Sequence, residues 1–230
     1  VNENVPISGS GGNPKLAPFI ANQLDLSYEW YFAEQSIAAV SLFYKDVESY
    51  IGISVDTTPI DGRPANITSS INGEGGYIRG AELNYQAPFA FLPGFLNDFG
   101  LNVNYAYVQS DIEEVDPVDD PLSMNGLAEH NAAATLWYFK NGFEARLAYS
   151  YKSEFTEQVN WSVSSLQTNK SADYLDLSLS YDISEDLQVK ADFANLQNTP
   201  VVTYTNNNPL SLGRYRATGR RFSVGVNYKF

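Results

Sequence analysis

The sequence predicts an all-β fold, an antiparallel sheet whose strands cross a membrane as part of a barrel. Three observations lead to this prediction. Nine segments alternate between apolar and polar residues, which is the period of a strand with two unlike faces. The connections between these segments alternate between short turns and long polar loops. The aromatic residues, which include 16 tyrosines and 13 phenylalanines, cluster where the apolar faces meet the short turns.

The nine predicted strands are close to the length that a tilted strand needs to cross the hydrocarbon of a bilayer, about ten residues. In the last of them, Phe222, Val224, Val226, Tyr228 and Phe230 share one face, and the residues between them are polar or glycine. We expect the apolar face of each strand to contact lipid. The nine segments cover residues 24–30, 38–45, 81–86, 101–107, 131–138, 143–152, 175–183, 187–193 and 222–230.

The connections give the direction of the sheet. Short turns, AEQ, KNG and SED, follow the first, fifth and seventh strands, and the medium connection APFAFLPGFLND follows the third. Long loops rich in glycine, asparagine and proline follow the second, fourth, sixth and eighth. This layout is typical of an outer-membrane barrel. The alternative is a soluble β-sandwich, but sandwich strands average about five or six residues and give no reason to confine aromatics to one end.

Composition excludes several classes of protein and site. A net charge of -13 argues against a nucleic-acid partner. The absence of cysteine removes disulfides, thiol catalysis and thiolate metal sites. No window holds eighteen consecutive apolar residues, so a transmembrane helix is excluded. The mean hydropathy of -0.27 is compatible with a barrel, because the polar face of each strand dilutes the apolar face.

Several motifs, taken in order, resemble those of TonB-dependent receptors of the Gram-negative outer membrane. The match runs over almost the whole chain. The motifs are GGNPKLAP before the first strand, LDLSYEWYF and AAVSLFYKDV in the next hairpin, GAELNYQAPFAFLPG, FANLQNTP, and the closing GRRFSVGVNYKF with its terminal aromatic. Each motif alone is weak, but their order and spacing together are specific. The details resemble most closely the branch common in Caulobacter- and Xanthomonas-like bacteria.

The resemblance implies a 22-stranded barrel with an N-terminal plug inside it. Counted back from Phe230, the nine strands would be the fourteenth to the twenty-second. An odd number of strands cannot close as an ordinary bacterial barrel. We therefore expect residues 1–230 to be the C-terminal part of the barrel domain, with the plug absent from this chain.

The resemblance also implies a function and a set of partners. We expect TonB-energised uptake of a scarce nutrient, with a glycan or oligosaccharide favoured and an iron-siderophore complex next. A passive porin-type channel, a surface adhesin and a barrel enzyme are the alternatives. The implied partners are outer-membrane lipid and lipopolysaccharide, the plug and remaining strands, the TonB complex and a small-molecule or glycan ligand, with no nucleic acid. The implied location is the outer membrane, crossed many times.

The sequence offers no catalytic or metal-binding set. His130 is the only histidine, and no serine or aspartate arrangement singles it out. We therefore expect no enzyme, no cofactor and no metal site built on histidine. An acidic segment, SDIEEVDPVDDP, is the exception to consider, because hard cations take oxygen ligands in flexible loops. It either binds cations that bridge lipopolysaccharide phosphates or is simply a solvated loop. Its carboxylates are those of Asp111, Glu113, Glu114, Asp116, Asp119 and Asp120.

The long loops supply the candidate ligand-binding residues. Trp161 lies among polar residues and would suit stacking on a sugar ring, although packing against neighbouring loops is the alternative. The last long loop, TYTNNNPLSLGRYRATG, combines amides, aromatics and arginines, which suit a hydroxylated or anionic solute and would equally suit loop packing. Its candidates are Tyr204, Asn206, Arg214, Tyr215 and Arg216.

Trp30, Tyr228 and Phe230 are predicted to lie in an aromatic girdle at the short-turn end, where amphipathic rings sit at the headgroup level. Charged residues at the polar positions of the strands are expected to face the lumen, where they would pair with each other or with the plug. These are Glu29, Lys45, Glu82, Arg146, Lys152, Asp176, Lys190 and Asp192.

Overall fold

The computed structural model describes residues 7–112, 124–160, 165–205 and 208–230. This part of the chain contains fourteen strands and one short 3-10 helix, Gly94–Asp98, in the connection after the third predicted strand. No helix in it is long and apolar enough to cross a membrane. The strands are β1 Ile7–Gly11, β2 Ile20–Ala33, β3 Ser36–Ile60, β4 Arg63–Pro88, β5 Phe99–Ser110, β6 His130–Lys140, β7 Phe143–Lys152, β8 Phe155–Asn160, β9 Ser165–Asn169, β10 Ala172–Asp182, β11 Leu187–Ala194, β12 Val201–Thr205, β13 Leu212–Arg216 and β14 Arg221–Tyr228.

The main sheet confirms the predicted antiparallel arrangement. Its order is β14-β11-β10-β7-β6-β5-β4-β3-β2, and every predicted segment is one of these nine strands. Each strand pairs antiparallel with the next one along this path. A tenth strand, β1, was not predicted, and it pairs parallel with the outer half of β4. The sheet is therefore a meander with one added edge segment.

The register carries each face across the whole sheet. Leu136 lies opposite Leu147, which lies opposite Leu177, and the row continues through Phe193 to Phe222. Because side chains alternate between faces along a strand, the rows on either side of this one point to the opposite face.

The neighbouring row is polar. Arg146 lies opposite Ser178, which pairs with Asp192 and then Ser223. We refer to these two surfaces as the apolar face and the polar face of the main sheet. A one-residue slip in any pair would exchange them.

Large apolar side chains on the apolar face are exposed. Leu26 is 65% exposed, Val224 72% and Phe222 79%. Within the described residues, the fully buried apolar side chains are small in number: Val47, Ala65, Ala87, Ile112 and Ala128. A soluble domain rarely leaves so continuous an apolar surface in water. A single-layered sheet of this kind is suited to a bilayer on one side.

One segment predicted as a long loop is a hairpin instead. Residues 46–80 continue β3 and β4, which stay paired as far as Ile60 and Arg63 apart from one skipped position. The turn between them is Asp61-Gly62, with φ values of 50° and 76°, the left-handed pair that a tight hairpin turn needs. At about 3.3 Å per residue, β3 is about 80 Å long. The hairpin therefore extends far beyond the membrane-spanning length.

Gly75 marks where the membrane-spanning part of β4 joins this extension. The pairing passes from Val47–Gly76 to Ser49–Glu74, which leaves one residue unpaired on each strand. A Cβ atom added to Gly75 would lie 2.0 Å from the Val47 carbonyl oxygen. Only glycine allows the two backbones to approach so closely.

Two further predicted loops contain a second sheet. Its order is β13-β12-β9-β8, and all of its pairs are antiparallel. β8 and β9 belong to the connection after β7, and β12 and β13 to the connection after β11. These two connections lie at the long-loop end, so the second sheet stands beyond the main sheet at that end.

A charge on the apolar face should destabilise the barrel. Leu177 is the midpoint of β10, and Leu177→Arg should lower the free energy of unfolding by about 2–4 kcal/mol, or block assembly, because a lipid-facing guanidinium loses its hydration. The measurement is urea-induced unfolding of the full-length protein in lipid vesicles.

The matched control for this change is Ser180→Arg, on the polar face of the same strand. Ser180 lies between Glu144 and Lys190 on the polar face, so the new guanidinium keeps its hydration and meets charges of both signs. The free energy of unfolding should change by no more than about 1 kcal/mol. Equal losses for the two variants would contradict the assignment of the faces.

Candidate functional site

The polar face of the main sheet carries a chain of hydrogen-bonded amides on β4 and β5. The Asn84 amide donates to Asn104 Oδ1 at 2.8 Å, Asn104 donates to Asn102 Oδ1 at 2.7 Å, and Asn102 donates to Gln86 Oε1 at 3.2 Å. Register positions these side chains, because Asn84 lies opposite Asn104 and Gln86 opposite Asn102. We call these four residues the amide chain.

A groove of about 550 Å³ runs beside the amide chain. Asn84, Asn104, Asn131, Ser41 and Glu82 supply its polar lining. Alanines at neighbouring positions of the same face keep it open, and these are Ala39, Ala106 and Ala133. Amide and hydroxyl groups that keep unused donors and acceptors can bind a neutral, hydroxyl-rich solute.

Charged residues on the polar face pair with each other in part. Lys190 Nζ lies 3.3 Å from Asp192 Oδ2, and Ser178 donates a hydrogen bond of 2.6 Å to the same carboxylate. Arg146 pairs with Glu144. These pairs are solvent-exposed, so each contributes about 0–1 kcal/mol to stability. The pairs neutralise charge on the polar face and contribute little to the stability of the sheet.

The second sheet separates the candidate residues of the last long loop. Arg214 lies opposite Thr203, and Arg216 lies opposite Val201, so both arginines share a face with the buried Thr203. Gln167 on β9 donates a 2.5 Å hydrogen bond to Thr203 Oγ1. Neither arginine forms an ion pair with any residue that the structure describes. We call this surface the arginine face of the second sheet.

Tyr204 and Tyr215 lie on the opposite face. Tyr204 is opposite Leu212, and Tyr215 is opposite Val202. The register shifts between Thr203 and Tyr204 because β13 carries an extra residue there, Gly213. The structure therefore brings Arg214 and Arg216 together and places the two tyrosines away from them.

Asn195 ties together the two ends of the connection between β11 and β14. It is 5% exposed and takes a left-handed φ of 57°, which asparagine tolerates. Its side-chain amide donates to the carbonyls of Thr199 at 3.1 Å and Gly219 at 3.4 Å, and its Oδ1 accepts from the Thr199 N–H at 2.8 Å. The asparagine of the FANLQNTP motif thus ties the start of the last loop to its end.

Part of the acidic segment and of the loop candidates lies outside the described residues. These are Glu113, Glu114, Asp116, Asp119 and Asp120 of the acidic segment, and Trp161 and Asn206 of the long loops. Their roles stay predictions. Asp111 is described, and its carboxylate accepts a hydrogen bond from the Tyr77 backbone N–H. Within the described ranges, no group of three or more acidic, histidine or cysteine side chains could hold a metal ion.

His130 and the predicted girdle residues all lie on the apolar face. Tyr105 Oη and His130 Nδ1 are 2.7 Å apart, so the histidine has a hydrogen-bond partner. At the short-turn end, the Trp30 ring lies 5.1 Å from that of Phe32. Tyr228 and Phe230 contact each other edge to face with ring centres 5.3 Å apart. These positions are compatible with an aromatic girdle at the headgroup level, which stays a prediction.

Sequence reasoning missed the amide chain, and it named Arg214 and Arg216 without showing that they share one face of a sheet. The alternation in GAELNYQ and LNVNYAY places the amides on one face, but the bonds between them depend on register. The segments VVTYT and LGRYR also alternate, and this was the available signal for β12 and β13. Five residues beside an asparagine run are too few to distinguish a strand from a loop.

Residues 3–198 match the family model described as TonB dependent receptor-like, beta-barrel. The chain belongs to this family. It is therefore part of a transmembrane β-barrel of the Gram-negative outer membrane, and the family is one of transport receptors, not enzymes. The polar face of the main sheet faces the lumen of such a barrel and the apolar face contacts lipid. No curated protein sequence matches the chain.

Solved structures agree with the fold. The ferric-catecholate import receptor Fiu of Escherichia coli K12 matches 95% of the chain at 16% identity, with a TM-score of 0.65. The siderophore receptor PiuA of Acinetobacter baumannii matches 91% at 14% identity, with a TM-score of 0.64. A variant of the ferric enterobactin receptor of Pseudomonas aeruginosa in complex with enterobactin matches 91% at 15% identity, with a TM-score of 0.61.

The chain spans only part of each of these receptors. It covers 29% of the Fiu chain, 28% of the PiuA chain and 31% of the enterobactin receptor chain. At such low identity the likeness shows the fold alone. The comparisons identify the family and no branch within it.

Removing the Asn195 side chain should loosen the last loop. Asn195→Ala loses three hydrogen bonds at a nearly buried position, which should lower the free energy of unfolding by about 1–3 kcal/mol. It should also speed proteolysis within residues 197–218, measured on the full-length protein in detergent.

The control for this change is Asn195→Gly, which keeps the left-handed backbone accessible and removes the same hydrogen bonds. It should also lower stability. Wild-type stability and protease resistance in the glycine variant would show that only the backbone conformation matters and that the hydrogen bonds do not tie the loop.

Proposed function

We propose that residues 1–230 form the C-terminal part of a receptor that takes up a scarce nutrient across the outer membrane, with energy supplied through TonB. On this proposal the nine strands of the main path are the fourteenth to the twenty-second of a 22-stranded barrel. The plug and the TonB-engaging segment then belong to another part of the protein. The family match over residues 3–198 is the observation that carries this proposal.

A glycan or oligosaccharide is the substrate class that the polar face supports best. The amide chain and the neighbouring groove present mainly amide and hydroxyl groups, with Glu82 as the one charged residue among the described residues of the groove lining. Neutral hydrogen-bonding groups of this kind match the hydroxyls of a sugar. The strand motifs resemble most closely the branch common in Caulobacter- and Xanthomonas-like bacteria, which is often linked to carbohydrate uptake, and this resemblance favours the same substrate class.

An iron-siderophore complex is the second candidate, and the arginine face favours it. Arg214 and Arg216 share one face of the second sheet without an ion pair among the described residues, in a chain whose net charge is -13. An anionic chelate would supply the missing counter-charge. The printed descriptions of Fiu and PiuA name a ferric-catecholate import receptor and a siderophore receptor.

Uptake in cells separates these candidates. Cells that carry the full-length gene should take up a labelled oligosaccharide, and uptake should stop when the TonB complex is deleted. Uptake that persists without TonB would indicate a passive channel. Uptake of a ferric chelate with no uptake of any oligosaccharide would contradict the glycan proposal and favour the second candidate.

Substitution of both arginines gives a sharper test of the substrate class. Each charge-assisted hydrogen bond contributes about 1.5–3 kcal/mol. Loss of one such contact corresponds to about 10-fold to 100-fold in affinity, so Arg214→Gln with Arg216→Gln should weaken an anionic chelate by at least about 100-fold if both arginines contact it. If the substrate is a neutral glycan, its affinity should change less than about threefold, because no full charge is removed from its contacts.

The matched control is Lys229→Gln, which removes a positive charge at the opposite end of the barrel. Lys229 lies beside the β10–β11 turn, where its backbone N–H donates to the Asp186 carbonyl. It should leave the affinity for either ligand unchanged. Equal weakening by the control and by the double variant would mean that net charge, rather than the arginine face, sets the affinity.

A further inference from the structure

An arginine lies on the apolar face of the main sheet. Arg79 on β4 is opposite Tyr44 on β3 and Gln109 on β5. It shares this face with Leu83, because residues of the same parity along a strand point the same way. Leu83 and Tyr44 are both exposed on the face that the family barrel turns toward lipid. A cation in this position needs an explanation.

The level of Arg79 along the strand decides its environment. β4 ends at Pro88, nine residues after Arg79, at the connection on the short-turn side. A tilted strand crosses the hydrocarbon in about 9–11 residues. Arg79 therefore lies where the opposite leaflet, on the long-loop side, meets its headgroups. A guanidinium is tolerated there, whereas at the midplane it would lower the free energy of unfolding by about 2–4 kcal/mol.

Neighbouring side chains hold the guanidinium in one orientation. Arg79 Nε and Nη2 donate to Gln109 Oε1 at 3.1 and 2.8 Å. The Arg79 Cζ atom lies 4.9 Å from the centre of the Tyr77 ring, and the Tyr77 ring is stacked on that of Tyr44 with centres 6.1 Å apart. An arginine held in this way loses less conformational entropy when it binds a further partner.

Arg79 forms no ion pair with any of the residues that the structure describes. Among the described residues, the ion pairs are those of Lys140, Arg146 and Lys190. Asp111 accepts a hydrogen bond from the Tyr77 backbone N–H and forms no ion pair with Arg79. A guanidinium has five N–H donors, so donors remain on Arg79 after the two bonds to Gln109.

Polar aromatic groups continue this cluster along the same face. His130 lies opposite Tyr107, and their ring centres are 5.1 Å apart. His130 Nδ1 is hydrogen-bonded to the Tyr105 hydroxyl. Rings with one polar edge are favourable at the headgroup level. The cluster is thus an interfacial surface that contains a cation with no ion-pair partner in the described ranges.

We propose that Arg79, oriented by Gln109 and Tyr77, binds the phosphate of an anionic lipid in the outer leaflet. The phosphate provides a counter-charge and accepts two parallel N–H bonds from a guanidinium. Tyr44 and Leu83 flank the site and contact the acyl chains below the headgroup. This inference depends on the family and the faces of the sheet, and it does not depend on the transported substrate.

The test is lipid binding by the full-length receptor in detergent, followed by native mass spectrometry. The probes are diphosphorylated lipid A and the same lipid without its phosphates. Loss of one charge-assisted contact should weaken lipid A binding to Arg79→Gln by about tenfold. Arg79→Lys keeps the charge but loses the bidentate guanidinium. Its lipid A affinity should therefore lie between those of the wild type and Arg79→Gln. Lipid without phosphate should bind both forms equally weakly.

Lys45→Gln is the matched control. Lys45 lies next to Tyr44 on β3, at the same level, and its side chain is on the polar face opposite Ile78. Its lipid A affinity should equal that of the wild type. Wild-type affinity in Arg79→Gln, or equal binding of the two lipids by the wild type, would overturn the proposal. So would full displacement of lipid A by millimolar inorganic phosphate, which would indicate a free-anion site. Should Arg79→Gln fail to fold, the lipid A affinity of Arg79→Lys is the test. An affinity below that of the wild type would support the proposal, and wild-type affinity would overturn it.

Discussion

The cross-strand register places Leu177 between Leu147 and Phe193 on the apolar face, and Ser178 between Arg146 and Asp192 on the polar face. Every other feature of the sheet depends on this pairing. The sheet is a single layer, so it has no interior in which a misplaced side chain could be buried. A slip of one residue would turn serines and charged groups toward lipid and leucines toward the lumen. The cost of charge in lipid, about 2–4 kcal/mol for each residue near the midplane, therefore enforces one register.

The candidate binding surfaces follow from the same constraint. The amide chain forms because the register sets Asn84 opposite Asn104, and alanines beside it leave a groove rather than a packed wall. Beyond the membrane, contacts made by single residues hold the strands and loops in place instead. Gly75 permits the close approach at which β3 and β4 continue outward, and Asn195 ties both ends of the last loop to the main sheet. The second sheet, beyond the membrane, then has two different faces: one carries Arg214 and Arg216, and the other carries Tyr204 and Tyr215.

Much of the main sheet could be predicted from the sequence, because a strand with lipid on one side and water on the other must alternate. The extension of β3 and β4 could not, since the segment INGEGGY reads as a loop and its pairing depends on backbone contact at Gly75. The separation of Arg214 from Tyr204 was also beyond the sequence, because it depends on the extra residue Gly213. Arg79 is a different case. Parity alone assigns it to the apolar face, but only the structure shows Gln109 and Tyr77 holding it.

The most direct test of the two-faced sheet is a spin-label scan of β10 from Leu175 to Asp182 in the full-length protein, reconstituted in vesicles. This chain contains no cysteine, so within it each introduced cysteine is the single labelled position. Accessibility to oxygen, which concentrates in lipid, should be high at Leu175, Leu177 and Leu179 and low at the residues between them. Accessibility to a water-soluble nickel complex should show the opposite alternation. A scan without a period of two, or with both reagents reaching the same residues, would contradict the assignment of this chain to a membrane-spanning barrel wall.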